Sequence, residues 1–198
     1  MAAKQKDMSE RVLDVAEALV QTRGFNAFSY ADIAKALSVT KASLHYHYAT
    51  KAALGQRLIA RYTENFLAAL AEIEARESSG RDALRAYVQI YADVLARNRM
   101  CLCGMLAADY ATLPKPMRDG VRAFFDANES WLARTLARGR AQGGLSFAGD
   151  EMETARALAG ALEGAMLIAR SYGDPRRFAR SAALLIDTLG AAPKRKRA

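Results

Sequence analysis

Ser29 through Tyr48, SYADIAKALSVTKASLHYHY, carries the densest set of groups able to do chemistry in this chain. Lys41, Ala42, Ser43, His45, Tyr46 and His47 fall on one outward face of a short helix predicted at 41–47. These are small, cationic, hydroxylic and aromatic groups, which suit a helix laid in a DNA major groove. Lys41 could donate to guanine or phosphate, and Ser43 and His45 could hydrogen-bond base edges. Tyr46, His47 and Lys51 would then reach phosphates. Ser29, Thr40 and Thr50 each precede a predicted helix, whose first amides attract anions. The competing reading is a generic helical hairpin with a solvated polar face.

Other chemistry is poorly supported. The two histidines are His45 and His47, and the two cysteines are Cys101 and Cys103. Residues i and i+2 on a helix do not share a face, so neither pair is expected to bind a metal. No glycine-rich phosphate loop and no nucleophile elbow is present. No enzyme activity and no cofactor is expected. Cys101 opens an apolar segment. If a helix starts there, its amides favour thiolate and suit reaction with electrophiles. Inert buried thiols are the alternative.

The elements that must position these groups read as all-α, with about nine helices. Apolar residues recur at helical spacing over 8–23, 30–37, 41–47, a long helix after Thr50, 81–97, 117–141, about 151–172 and 175–189, with a short apolar segment at 100–112. Asp7 with Glu10, and Ser29 with Asp32, form capping-box patterns. Residues 30–37 and 41–47 with Ser38-Val39 between them match a helix-turn-helix, with Ile33, Leu37, Val39 and Leu44 filling its wedge. If Ser38 needs a positive φ, it costs about 1 kcal/mol relative to glycine.

The 29–48 pattern resembles the DNA-binding domain of the TetR family of transcriptional regulators. Gly24-Phe25, Ser29-Tyr30-Ala31-Asp32-Ile33-Ala34, Val39 through Tyr48 and Thr50-Lys51-Ala52-Ala53-Leu54 carry the resemblance. The family's usual run is close to D-I-A-x-x-x-G-V-S-K-G-T-L-Y-x-H-F-x-x-K-x-x-L. Ser38 and Ala42 stand where it has glycine, and His45 stands where it has tyrosine. The resemblance implies a DNA-binding domain at 1–50, with Ser29, Tyr30, Thr40, Lys41, Ala42, Ser43, His45, Tyr46, His47 and Lys51 at the DNA. It implies a regulatory domain at 51–190 that binds a small-molecule inducer and forms a homodimer. The protein would be a repressor on a near-palindromic operator, its recognition helices about 34 Å apart. "Cys-Leu-x-x-x-Leu-Ala-Ala-Asp" from Cys101 further resembles a branch of the family that includes reactive-electrophile sensors. Such a repressor would sense through Cys101, with Cys103.

In the regulatory half, Gly160 and Gly164 with Ala157, Ala161 and Ala165 allow close helix approach. With Leu185, Ile186 and Leu189 they are expected to build the dimer interface through helices 154–172 and 175–189. Tyr62, Phe66, Tyr91, Cys101, Met105, Phe124, Asn128, Trp131, Met166 and Arg170 are the candidate ligand residues. Asn128 stands out, because an amide on an apolar stripe needs partners.

Composition agrees. The net charge is +8, but Lys194-Arg195-Lys196-Arg197 supply half of it, in a basic tail (191–198) expected to be disordered. The rest is only mildly basic, which permits a polyanion partner without identifying one. No apolar run is long enough to span a bilayer, and the N-terminus lacks a signal-peptide core. A cytoplasmic protein is expected.

Overall fold

A computed structural model describes residues 7–190; the basic tail lies outside them. The described residues form nine α-helices, one 3₁₀ turn and no strand. They are α1 (Met8–Arg23), α2 (Tyr30–Leu37), α3 (Lys41–His47), α4 (Lys51–Arg76), α5 (Gly80–Ala96), α6 (Leu102–Ala108), α7 (Lys115–Ala141), α8 (Glu151–Ser171) and α9 (Pro175–Thr188). The apolar segment at 100–112 is divided into α6 and a 3₁₀ turn at Tyr110–Thr112. Helix α7 starts two residues earlier than its periodicity indicates. Pro116 sits in its first turn, where a missing N–H costs nothing.

Contacts group the chain into two compact units, one of residues up to 65 with 99–124, the other of 66–98 with 125 onward. The first contains α1–α3 and α6. Val12, Leu13, Ala16 and Val20 form the buried stripe of α1, and Ile33, Ala34 and Leu44 are buried in α2 and α3. The starts of α2, α3 and α4 are capped by the residues their sequences offer. The Ser29–Asp32 capping box is complete, the Thr40 hydroxyl accepts from Ser43 N–H (3.2 Å), and the Thr50 hydroxyl from Ala53 N–H (3.0 Å). The Asp7–Glu10 box does not form. Asp7 caps Met8, while Glu10 is drawn to Arg61 at 3.0 Å, a stronger, charged partner. Asp14 (2.8 Å) and Glu17 (2.9 Å) share the same guanidinium. One cation of α4 thus holds three carboxylates spaced along α1.

Ser38 ends α2 in the left-handed region (φ 56°, ψ 42°). The Val39 N–H then closes the turn on the Ala34 carbonyl at 3.0 Å. The strain anticipated for serine is therefore present.

In the second unit α9 packs on α8 and α5. Tyr87, Leu84, Leu132, Leu136, Leu162, Met166 and Phe178 are fully buried there. The start of α5 runs against the end of α7 with no side chain between them. A Cβ on Gly80 would lie 2.5 Å from Gly139 Cα, and one on Gly139 would lie 2.3 Å from Leu145 Cδ1.

Candidate functional site

The α2–turn–α3 region presents the outward groups together. Lys41, Ala42, His45 and Tyr46 are exposed, Ser43 and His47 half-buried. Tyr46 is 88% exposed, with its ring edge-on to His47 at 5.4 Å. A cleft of about 440 Å³ is lined by Ser29, Tyr30, Lys41, His45 and Lys51, with Phe28 and Ala31. Asp32 holds the Ser29 end of it: its carboxyl sits below the usual range because the Ser29 hydroxyl and N–H both donate to it.

The aromatic scaffold under α3 was not legible in the sequence. The buried Tyr30 donates its hydroxyl to the Tyr48 carbonyl (2.7 Å), tying α2 to the end of α3. Burial, then Tyr48, push the Tyr30 pKa up to about 12, so it remains a neutral donor. The His45 ring lies 4.6 Å from the Tyr30 ring, and its Nδ1 is 3.1 Å from the Ala49 carbonyl oxygen. The Tyr48 hydroxyl meets Ser9 Oγ of α1 at 2.8 Å.

Lys51 is turned inward. Its ammonium donates to the Phe25 and Phe28 carbonyls (both 2.6 Å) and sits over both rings, at 4.6 and 4.3 Å. Burial lowers its pKa. Two of its three N–H donors are thus engaged inside the protein. Its position supports holding the 25–28 corner rather than reaching out to a phosphate.

The ligand candidates fall into two clusters, one in each unit. In the first, Tyr62 packs its ring 5.6 Å from Phe124, and its hydroxyl donates to Cys101 Sγ at 3.8 Å. Burial, then the Cys101 and Cys103 thiols, raise the Tyr62 pKa well above the phenol range. Cys101 caps α6, its sulfur accepting the Gly104 N–H at 3.4 Å. Both cysteines are buried and form no disulfide. Met105 is half-buried near Gly24.

In the second unit the Trp131 ring stacks on Tyr87 (5.6 Å, 24°). Tyr87 neighbours Phe66 and Tyr91, and Tyr91 stacks on Phe178. The fully buried Asn128 donates from Nδ2 to the Tyr91 hydroxyl at 3.3 Å. Its Oδ1 accepts nothing among the described residues, and Trp131 Nε1 donates to nothing. One helical turn thus carries an unfilled buried acceptor and an unfilled buried donor. Met166 is fully buried and Arg170 half-buried. A groove of about 300 Å³ between α5 and α9, floored by Val88, Ala92, Ala182 and Ala183, contains none of the candidate ligand residues.

The small-residue face of α8 is open. A Cβ at Gly160 or Gly164 would meet nothing within 4 Å. Leu167, Ile168 and Tyr172, with Leu184 of α9 (67%), are exposed large apolar residues. Ile186, grouped with this face by its spacing, is instead 2% exposed within its own unit; Leu184 takes its place on the outside. No described helix is long and apolar enough to cross a membrane. No cluster of metal-binding side chains occurs among the described residues.

Comparison with known proteins gives a consistent result. Residues 12–58 match "Bacterial regulatory proteins, tetR family". Residues 80–185 match "Tetracyclin repressor-like, C-terminal domain". A TetR-family transcriptional regulator from Agrobacterium tumefaciens superposes with a TM-score of 0.90 at 32% identity, covering 92% of this chain and 97% of that one. The HTH-type transcriptional repressor NemR of Escherichia coli K12 is 26% identical over 175 residues, 85% of this chain and 88% of its own. The crystal structure of E. coli NemR in its reduced form gives a TM-score of 0.81 at 25% identity, covering 96% of this chain and all of that one.

Proposed function

Because the chain belongs to the TetR family of bacterial regulatory proteins, we propose that it is a homodimeric transcriptional repressor released from its operator by a small molecule. Residues 1–50 bind DNA and residues 51–190 hold the inducer and the dimer contact. The observation that carries this is the exposed face of α3. Lys41, His45 and Tyr46 stand out together, with the half-buried Ser43 between them, on a helix tied from below by Tyr30 and Tyr48. A seven-residue helix does not persist alone in water, so this tie is what makes α3 a preorganised reader. Ser29 and Thr40, which cap α2 and α3, direct backbone amides at flanking phosphates.

The exposed apolar face of α8 and α9 supports the dimer. A homodimer carries two α3 helices, the number that a near-palindrome with half-sites about 34 Å apart requires. Asn128 and Trp131 support an inducer site, since a ligand with one donor and one acceptor fills both orphaned atoms. The test is a selection of genomic fragments with purified protein. One enriched palindrome is expected, with affinity falling steeply as salt rises. No enriched sequence, with or without cell metabolites, overturns the proposal.

A second reading concerns the trigger. The Cys101 sulfur accepts hydrogen bonds from both Gly104 N–H and the Tyr62 hydroxyl, two donors that would stabilise a thiolate against the cost of burying it. The NemR relative has been crystallised in a reduced form. On this reading the repressor is released by electrophiles or oxidants. Cys101→Ser should retain operator binding and lose its release by N-ethylmaleimide. Undiminished release would exclude Cys101 as the sensor.

A further inference from the structure

We propose that His45 is a specificity-determining residue that selects an amino-bearing base, adenine or cytosine, because its protein contacts fix it as a hydrogen-bond acceptor toward DNA. The inference rests on the DNA-binding reading above.

The argument starts from one contact. His45 Nδ1 is 3.1 Å from the Ala49 carbonyl oxygen. A carbonyl has no proton to give, so Nδ1 carries the hydrogen. In the neutral imidazole the other nitrogen, Nε2, is then a bare lone pair. The ring has a second contact, with Tyr30, whose plane is tilted 51° to it. Tyr30 lies against it at 4.6 Å, and Tyr30 is itself anchored on the Tyr48 carbonyl at 2.7 Å. Both anchors are consecutive backbone carbonyls just past the end of α3, so ring and helix move together. His45 is otherwise exposed.

The major-groove edge divides the bases into two groups by exocyclic substituent. Adenine offers the N6 amine and cytosine the N4 amine, both donors; guanine offers O6 and thymine O4, both acceptors. An acceptor at Nε2 pairs with the first group and leaves two facing lone pairs with the second. A histidine free to change tautomer would accept either group. The serine or tyrosine hydroxyls nearby can rotate to donate or accept, so they cannot make this distinction. Lys41, one turn earlier on the same face, only donates and so favours the opposite group.

The test is selection from a random duplex library at pH 8, above the ordinary histidine range, with wild type, His45→Phe and His45→Gln. Phenylalanine retains a ring against Tyr30 and removes Nε2. Glutamine presents either a donor or an acceptor. Wild type should enrich a near-palindrome with adenine or cytosine at one symmetry-related pair of positions, about ten-fold over guanine or thymine. Both variants should bind more weakly than wild type, and in the sites they still enrich the preference should be lost at that position alone. Histidine ¹⁵N shifts, with two rings to assign, should show His45 protonated on Nδ1. A variant logo unchanged at every position, a wild-type preference for guanine or thymine at the affected position, or a proton on Nε2 each overturns the inference while leaving DNA binding intact. A wild type that enriches no palindrome overturns both.

Discussion

Arg61→Met removes the cation that three α1 carboxylates share, and the structure sets the size of the loss. The Arg61 side chain is 10% exposed, whereas Glu10, Asp14 and Glu17 are 41%, 42% and 22% exposed. Orphaning a fully buried charge costs about 3–5 kcal/mol. These carboxylates keep much of their water, so that figure is a ceiling. Three solvent-exposed pairs would contribute roughly 1 kcal/mol each at most. Like-charge repulsion at i,i+3 and i,i+4 along α1 adds a few tenths per pair, about 0.2–0.5 kcal/mol. Methionine refills the space of the arginine stem. The expected destabilisation is about 2–3 kcal/mol, a Tm drop of roughly 5–10 °C for a chain of this length. The assay is paired urea and thermal unfolding at low and high salt. Because the acids are partly exposed, 1 M salt should screen their repulsion and recover part of the loss, as should adding Glu17→Gln. A loss below about 0.5 kcal/mol would refute the reasoning. It would mean that desolvating the guanidinium already cancels its three contacts.

Other outcomes follow from single features. Ser38→Gly should stabilise the protein by about 0.5–1 kcal/mol, since φ is 56° there; Asn98→Gly, at φ 55°, should gain less because asparagine tolerates this region. Chemical denaturation of the pair checks both, and equal gains would refute the distinction. Asp32 has its folded pKa lowered, so its contribution is present above the unfolded value of about 3.9 and fades as pH falls through the folded value. The Tm gap between wild type and Asp32→Asn should therefore narrow below about pH 4 and stay constant above pH 5. Leu184→Glu places a charge on the exposed apolar face of α9 and should yield monomers by light scattering with helicity unchanged; a persistent dimer would place the contact elsewhere.

The helices were legible because their signals are local. Caps at Ser29, Thr40 and Thr50 and a 3.6-residue apolar period depend on residues within a turn of each other. The exposed face of α3 was legible for the same reason. What remained hidden depends on partners far apart in sequence. Glu10 read as a cap because nothing local shows Arg61, fifty-one residues on. Lys51 read as a phosphate ligand because its type allows it; the Phe25 and Phe28 carbonyls that hold it carry no sequence signal. Likewise the carbonyls of Tyr48 and Ala49, which set Tyr30 and His45, belong to every residue equally. Ile186 and Leu184 sit two positions apart in the sequence, and packing alone decides which faces in.

The passage of α5 across α7 at Gly80 and Gly139 bears on how this sequence can drift. Alanine is its commonest filler, at 42 of 198 positions, and a glycine-to-alanine change usually gains a helix stability. At Gly80 the added methyl has nowhere to go, because all three nearest atoms are backbone that cannot swing aside, whereas at Gly139 it meets the Leu145 side chain, which would have to shift. In a library of random variants, Gly80 should therefore come back blank where its neighbours tolerate alanine freely, and Gly139 should accept alanine only with a compensating change at Leu145. Gly160 and Gly164, equally helical but with open space around them in the single chain, should tolerate it as far as folding goes. Whether they also tolerate it in a screen for function would separate glycines kept for the chain itself from glycines kept for another molecule.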